Sequence, residues 1–312
     1  MSKDPVWPTL PRGGPRPDKR AREAARRAAG RATPAAPPPH DHVEPESARG
    51  APYAAAQRRE ELRIFGLNAS LAAFAARPED LRKAWLSEAR IPVLRDLMAW
   101  CVKHRLGYRV VADEDLLKLT GSQHHEGVCL QMRRPPELTL DQLLQSLAPD
   151  APACLLWLDG VGNPHNFGAV LRSAAHFGIA AVLLPQESEL ALSGAACRVA
   201  EGGAEAVPLV RLAEQEQALD MLQRAGFNVA ATLPRGGDSL FDAALPPRTV
   251  FVLGAEREGM QQALVERCQQ RLSIPGSGQV ESLNIASAVA VLLSTWLGIM
   301  KAGHAYLPLD PD

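Results

Sequence analysis

Three polar, glycine-bearing stretches hold the residues whose types and spacing point to chemistry. The first runs Asp159-Gly160-Val161-Gly162-Asn163-Pro164-His165-Asn166-Phe167-Gly168-Ala169-Val170-Leu171-Arg172. Pro164 suits the first position of a helix and Asn163 the cap before it. Asn166 and Arg172 are six apart, off a common stripe, yet both near the face that opens at the helix's N-terminal end. Gly168 lets another backbone or a ligand come close. A guanidinium at 172 offers a fixed fork of donors to an anion, or serves as half of a surface ion pair. The second stretch is Gly254-Ala255-Glu256-Arg257-Glu258-Gly259, where Glu256 either pairs with Arg257 or faces a site. The third runs from Ile274-Pro275-Gly276-Ser277-Gly278 to Glu281-Ser282-Leu283-Asn284, with Ser282 either a site residue or a helix cap.

Two familiar phosphate-binding chemistries fail on these residues. Gly160-Val161-Gly162 opens a dinucleotide fingerprint, but His165 stands where its third glycine belongs, and no acidic residue closes the unit. No GxxxxGK[ST] loop is present. His124, His125 and His165 have no carboxylate at telling spacing and read as loop or partner-contact residues. The cysteines (Cys101, Cys129, Cys154, Cys197, Cys268) form no CxxC pair, so no metal is expected.

The elements that position these stretches form an α/β pattern. Cys154-Leu155-Leu156-Trp157-Leu158 is a continuous apolar run, as in a strand covered on both faces. Residues 181–184, 227–230 and 250–253 repeat it. Helices are predicted over 165–177, 213–225 and 260–268, giving a parallel sheet whose ligand lies beyond the C-terminal ends of its strands. Upstream, strands over 62–65, 81–86, 108–111 and 126–132 alternate with helices over 70–76 and 93–104, a smaller α/β module. The boundaries follow: 60–135 for the small domain, 136–151 for a linker with a short helix, and 152–306 for the large domain. Residues 285–300 are almost wholly apolar, but Ser287, Ser294, Thr295 and the modest length favour a core or interface helix over a membrane span.

Residues 1–55 differ in texture. They hold eleven of the 26 prolines and almost no large apolar side chains, which predicts a disordered arm. Eight basic residues between Arg12 and Arg31 face only Asp18 and Glu23 there, although the formal net charge of the 312-residue chain is −1. Such an arm suits a polyanionic partner or acts as a solubilising tail, and residues 18–29 are able to form a helix on such a partner. The N-terminus has no apolar signal region, and the odd, dispersed cysteine count indicates reduced, buried thiols in a cytoplasmic protein.

Taken together and in order, the three stretches resemble the motifs of the TrmH (SpoU) family of methyltransferases, within the wider SPOUT class. The family's N-x-G-x-x-x-R is matched by Asn166, Gly168 and Arg172, its G-x-E-x-x-G by Gly254, Glu256 and Gly259, and its I-P…S-L-N by Ile274, Pro275, Ser282, Leu283 and Asn284. Residues 62–134 look like the family's substrate-binding domain. One departure is Asn163, where many members carry Asp; it keeps the cap and loses the charge.

The resemblance implies a C-terminal trefoil-knotted, parallel-sheet methyltransferase domain preceded by a small α/β RNA-binding domain. It implies S-adenosylmethionine as methyl donor, held by Gly254, Gly259, Ile274, Leu283 and Asn284. It implies catalytic work for Arg172, framed by Asn166, Glu256, Ser282 and Asn284, on a ribose 2′-hydroxyl of structured RNA (tRNA or rRNA). A homodimer through the apolar helix after Asn284 is implied too, with no membrane and no metal. Two other functions compete: a non-catalytic RNA-binding or assembly factor on the same fold, and methylation of a base nitrogen.

Overall fold

A computed structural model of the protein describes residues 60–254 and 259–303. The basic arm, with the helix expected over 18–29, lies outside them, as does Glu256. Two sheets organise the described chain. The smaller holds β1 (Glu61–Phe65), β2 (Leu81–Leu86), β3 (Gly107–Val110) and β4 (Val128–Arg133) in the order β1-β4-β2-β3. Its helices are α1 (Leu67–Ala76), α2 (Arg95–Lys103) and α3 (Asp113–Thr120).

The larger sheet has eight strands, and every pair in it is parallel. They are β5 (Leu138–Thr139), β6 (Ala153–Asp159), β7 (Ala181–Pro185), β8 (Leu209–Leu212), β9 (Asn228–Thr232), β10 (Asp238–Ser239), β11 (Arg248–Gly254) and β12 (Gln270–Ser273). Their order is β10-β12-β9-β11-β6-β7-β8-β5. The helices between and after them are α4 (Leu140–Ser146), α5 (Pro164–His176), α6 (Gly194–Ala200), α7 (Gly203–Ala206), α8 (Gln215–Arg224), α9 (Gln262–Arg267) and α10 (Ile285–Gly303). The stretch read as a linker thus supplies more than a short helix. β5 pairs with β8 at the sheet edge, and a capping box of Thr139 and Gln142 starts α4.

The burial of β6 explains its apolar run. All seven of its residues are buried, because the sheet is covered on both faces. Side chains alternate across a strand, so Cys154, Leu156 and Leu158 enter one core while Leu155 and Trp157 enter the other. The first core continues without a break through α5, α6 and α10 into the small lobe, where it takes up Leu62, Ile64, Ala69 and Ala73. The second lies under α8 and α9.

A buried ion pair joins the lobes beside that first core. Arg77, just after α1, donates to both carboxylate oxygens of Glu205 on α7, at 2.7 and 3.0 Å. A third guanidinium nitrogen donates to Asp80 and to the Arg133 carbonyl. The fork geometry satisfies charges that burial would otherwise penalise.

All five cysteines are free and buried, as their dispersion suggests. Burial pushes the Cys129 and Cys268 thiols up to about 11 and Cys197 to about 12, so they remain protonated, packed side chains. The apolar helix α10 extends to 19 residues, beyond the stretch legible as apolar. By length and composition it suffices to cross a membrane. Its inner face, with Val289, Leu292, Leu293 and Trp296, packs into the core.

Candidate functional site

The chemistry-bearing stretches meet at the C-terminal ends of the central strands. Asn163 caps α5, its Oδ1 accepting from the His165 amide at 2.9 Å, and Pro164 occupies the first turn. Asn163 therefore serves as the cap expected of it. Gly168 sits where α5 meets α6. A Cβ there would lie 2.5 Å from the Ala196 carbonyl oxygen, so only glycine lets these helices approach.

Beyond β11 and β12 lies a cavity of about 530 Å³, within the roughly 300–1,000 Å³ of small-molecule sites. Gly254, Gly259, Ile274, Ser282 and Leu283 all line it. Ile285, Ala288 and Leu292 of α10 supply apolar wall. Gly254 makes the cavity's shape possible. A Cβ on it would lie 2.5 Å from the Gly259 carbonyl carbon and from the Met260 amide nitrogen. The Met260–Gln261 backbone is tied down in turn by the buried Asp159 carboxylate at the end of β6, which accepts a hydrogen bond from the Gln261 backbone. Burial raises the pKa of that carboxyl, while the Gln261 bond opposes the rise.

Asn166 and Asn284 lie beside the cavity rather than in its lining. The Asn284 amide donates to Asn166 Oδ1 at 3.1 Å, tying the third stretch to the first across 118 positions of sequence. The same Asn284 caps α10, its Oδ1 accepting from the Ala286 amide at 2.9 Å. The cap of that helix is therefore Asn284 and not Ser282, which stays exposed on the cavity wall.

Arg172 stands apart from both groups. Its side chain is 61% exposed, and Nη1 lies 3.5 Å from Glu201 Oε1. Glu201 holds a left-handed backbone with φ 50° at the end of α6, and its other oxygen accepts from Asn68 Nδ2 of α1 at 2.8 Å. An exposed pair of this kind adds little stability, so the guanidinium is available to an incoming anion.

Two features escape sequence reading. The loop Leu233-Pro234-Arg235-Gly236 after β9 lines the same cavity. It is itself a glycine-bearing polar segment following a strand, so the pattern that marks the other three marks it as well. Glu201 and Asn68 leave no signal, because their meeting depends on how the lobes dock.

A parallel α/β sheet with a small-molecule cavity beyond its strand ends, and an exposed arginine on the helix beside it, defines a class of ligand-binding α/β proteins. Residues 153–294 match the SpoU rRNA Methylase family, and residues 63–138 match the RNA 2'-O ribose methyltransferase substrate binding family. The uncharacterized tRNA/rRNA methyltransferase YfiF of Escherichia coli O157:H7 is 39% identical over 246 residues, covering 79% of this chain and 70% of that protein. The 23S rRNA (guanosine-2'-O-)-methyltransferase RlmB of Escherichia coli (strain K12) is 34% identical over 238 residues, 74% of this chain and 95% of that one. The AdoMet-bound rRNA methyltransferase from Sinorhizobium meliloti shares the fold, with a TM-score of 0.66 at 20% identity over 81% of this chain and 92% of that chain. The chain belongs to the SpoU methylase family.

Proposed function

We propose that this protein transfers the methyl group of S-adenosylmethionine to a ribose 2′-hydroxyl of structured RNA, tRNA or rRNA. One observation carries the reading above the others. Residues from two family motifs share a single cavity, and Asn284 at its edge bonds Asn166 on the helix that bears Arg172. The named activities of the relatives support the same conclusion.

Donor binding falls to Gly254, Gly259, Ile274 and Leu283, with Asn284 alongside. Their backbone groups reach a ligand directly where glycines remove the Cβ, and Leu283, 47% exposed, has apolar surface for a ligand to cover. The bound sulfonium supplies an electrophilic methyl group. Arg172 holds the RNA phosphate and ribose with its fork of donors and stabilises charge developing on the 2′-oxygen. A guanidinium stays protonated, so its work is electrostatic and positional. Asn166, Ser282 and Asn284 form a polar frame around the reacting groups, together with Glu256 from the second motif.

In this reading residues 60–135 bind RNA, residues 152–306 carry the reaction, and residues 136–151 join them. The C-terminal part of that domain forms a trefoil knot. The non-sequential strand order, and the convergence of residues 233–236, of Gly254, Gly259 and Met260, and of residues 274–278 and 280–283 on one cavity, support that threading. The protein works as a cytoplasmic homodimer without a metal. Helix α10 supports the dimer: it averages a hydropathy of 1.7 over Ile285–Ala302, yet only 28% of that window is buried in one chain. The basic arm adds phosphate contacts.

Tritium transfer from labelled S-adenosylmethionine into unfractionated tRNA or rRNA tests the activity. Label on nuclease-resistant, 2′-O-methylated dinucleotides is expected. Label on a base would establish the competing base chemistry, and RNA binding without transfer would establish an assembly factor.

A further inference from the structure

A second cavity, of about 560 Å³, opens between the two lobes, away from the glycine-walled one. From the small lobe it takes Arg63 on β1 and His124 in the loop after α3; from the large lobe it takes His165 on α5 and Arg198 on α6. We propose that this crevice seats a nucleotide of the RNA substrate that flanks the methylated one, with its phosphate on Arg63 and Arg198 and its rim formed by His124 and His165. The inference rests on the RNA-methylating reading and extends it.

Charge supports this occupant. Three arginines line the crevice, Arg134 being the third, against the single carboxylate of Glu61. That carboxylate is already engaged by the Gln131 side-chain amide across the β1–β4 pair. Arg63 spends one nitrogen on the Leu119 carbonyl at 2.9 Å, which fixes the guanidinium plane and leaves further donors of its five. Arg198 is steadied by Glu126, whose carboxylate lies 3.3 Å away and does not line the cavity. Arginines held in this manner are preorganised for a phosphate and lose little freedom on binding it.

Position supports it too. His165 immediately precedes Asn166 and lies in the first turn of the helix carrying Arg172. A strand whose nucleotide fills the crevice is thereby led from the small lobe to the start of that helix. Both histidines are exposed and come from different lobes, so the crevice exists only because the lobes dock. A phosphate contact of this kind fixes register without reading sequence.

The test measures binding of the full-length protein to unfractionated tRNA and to rRNA across a salt series, for wild type, Arg63→Gln and the double variant His124→Ala/His165→Ala. The expected result is a loss of about tenfold in RNA affinity for Arg63→Gln, with a salt slope shallower by about one. The histidine pair should weaken binding in the same direction, with S-adenosylmethionine affinity unchanged in both. The histidine variants touch only exposed side chains and guard against a folding defect at β1. Unchanged RNA affinity and salt slope in folded variants would overturn the proposal, as would failure of wild type to bind either RNA. A weakened grip on free nucleoside monophosphate alone would reassign the crevice to a small ligand and overturn it equally. The readout is binding, so a wild-type protein that binds RNA through the crevice yet transfers no methyl group would sink the catalytic reading, and with it the place of this nucleotide beside a methylated one, while leaving the crevice as an RNA-phosphate site.

Discussion

Arg172→Ala is expected to slow methyl transfer by about 10²–10³-fold while leaving S-adenosylmethionine affinity and the unfolding midpoint unchanged. The magnitude is that of removing one preorganised donor from developing oxyanion charge. Stability should hold because the side chain is 61% exposed and its partner Glu201 sits 3.5 Å away in solvent-screened surroundings. Arg172→Lys keeps the charge but loses the planar fork, so it should recover only part of the rate. Single-turnover transfer with saturating donor, paired with calorimetric donor binding, separates the possibilities. A matching loss of donor affinity would put Arg172 in the donor's wall, and an unchanged rate would remove it from the reaction.

The second large effect is expected at Gly254. Alanine there places a Cβ 2.5 Å from backbone atoms of Gly259 and Met260, so the far side of the cavity must shift. Overpacking of this kind costs about 1–3 kcal/mol, and if the strain falls on the wall that meets the donor, affinity drops about 10–100-fold. Gly162→Ala is the control. It lies in the first stretch, ahead of the motif, with open space around its would-be Cβ, and should bind donor as wild type does. Equal donor affinity in Gly254→Ala would show that the cavity is not where the donor binds.

Much of the large sheet is legible in the sequence because its strands are buried on both faces. Unbroken apolar runs as short as Cys154–Leu158 and Val250–Leu253, bounded by polar and glycine-bearing turns, fit a doubly covered strand best. Elements without that signature are silent. β12 is Gln-Arg-Leu-Ser, β10 has two residues, and α6 and α7 are broken up by Gly194, Gly202 and Gly203. The acidic start of α3, Asp113-Glu114-Asp115, is a helix-favouring signal that the sequence-based pattern of strands and helices omits. At the site, the motif residues can be named because their types and spacing are local. The pairing of Asn166 with Asn284 cannot, since only the tertiary fold brings the third stretch to the start of α5. The same holds for the Asn68–Glu201–Arg172 chain, whose members come from both lobes.

That chain also couples the lobes. Glu201 accepts from α1 with one oxygen and faces Arg172 with the other, so the small lobe is linked to the guanidinium through one carboxylate. The shared core and the buried Arg77–Glu205 pair keep that geometry fixed.

The most direct measurement maps 2′-O-methyl groups across tRNA and rRNA from cells with and without this gene. The expected result is at least one ribose that is methylated in the parent and bare in the deletion, restored by the wild-type gene and not by Arg172→Ala. Identical maps from the two strains, with the protein present in the parent, would contradict a role in ribose methylation.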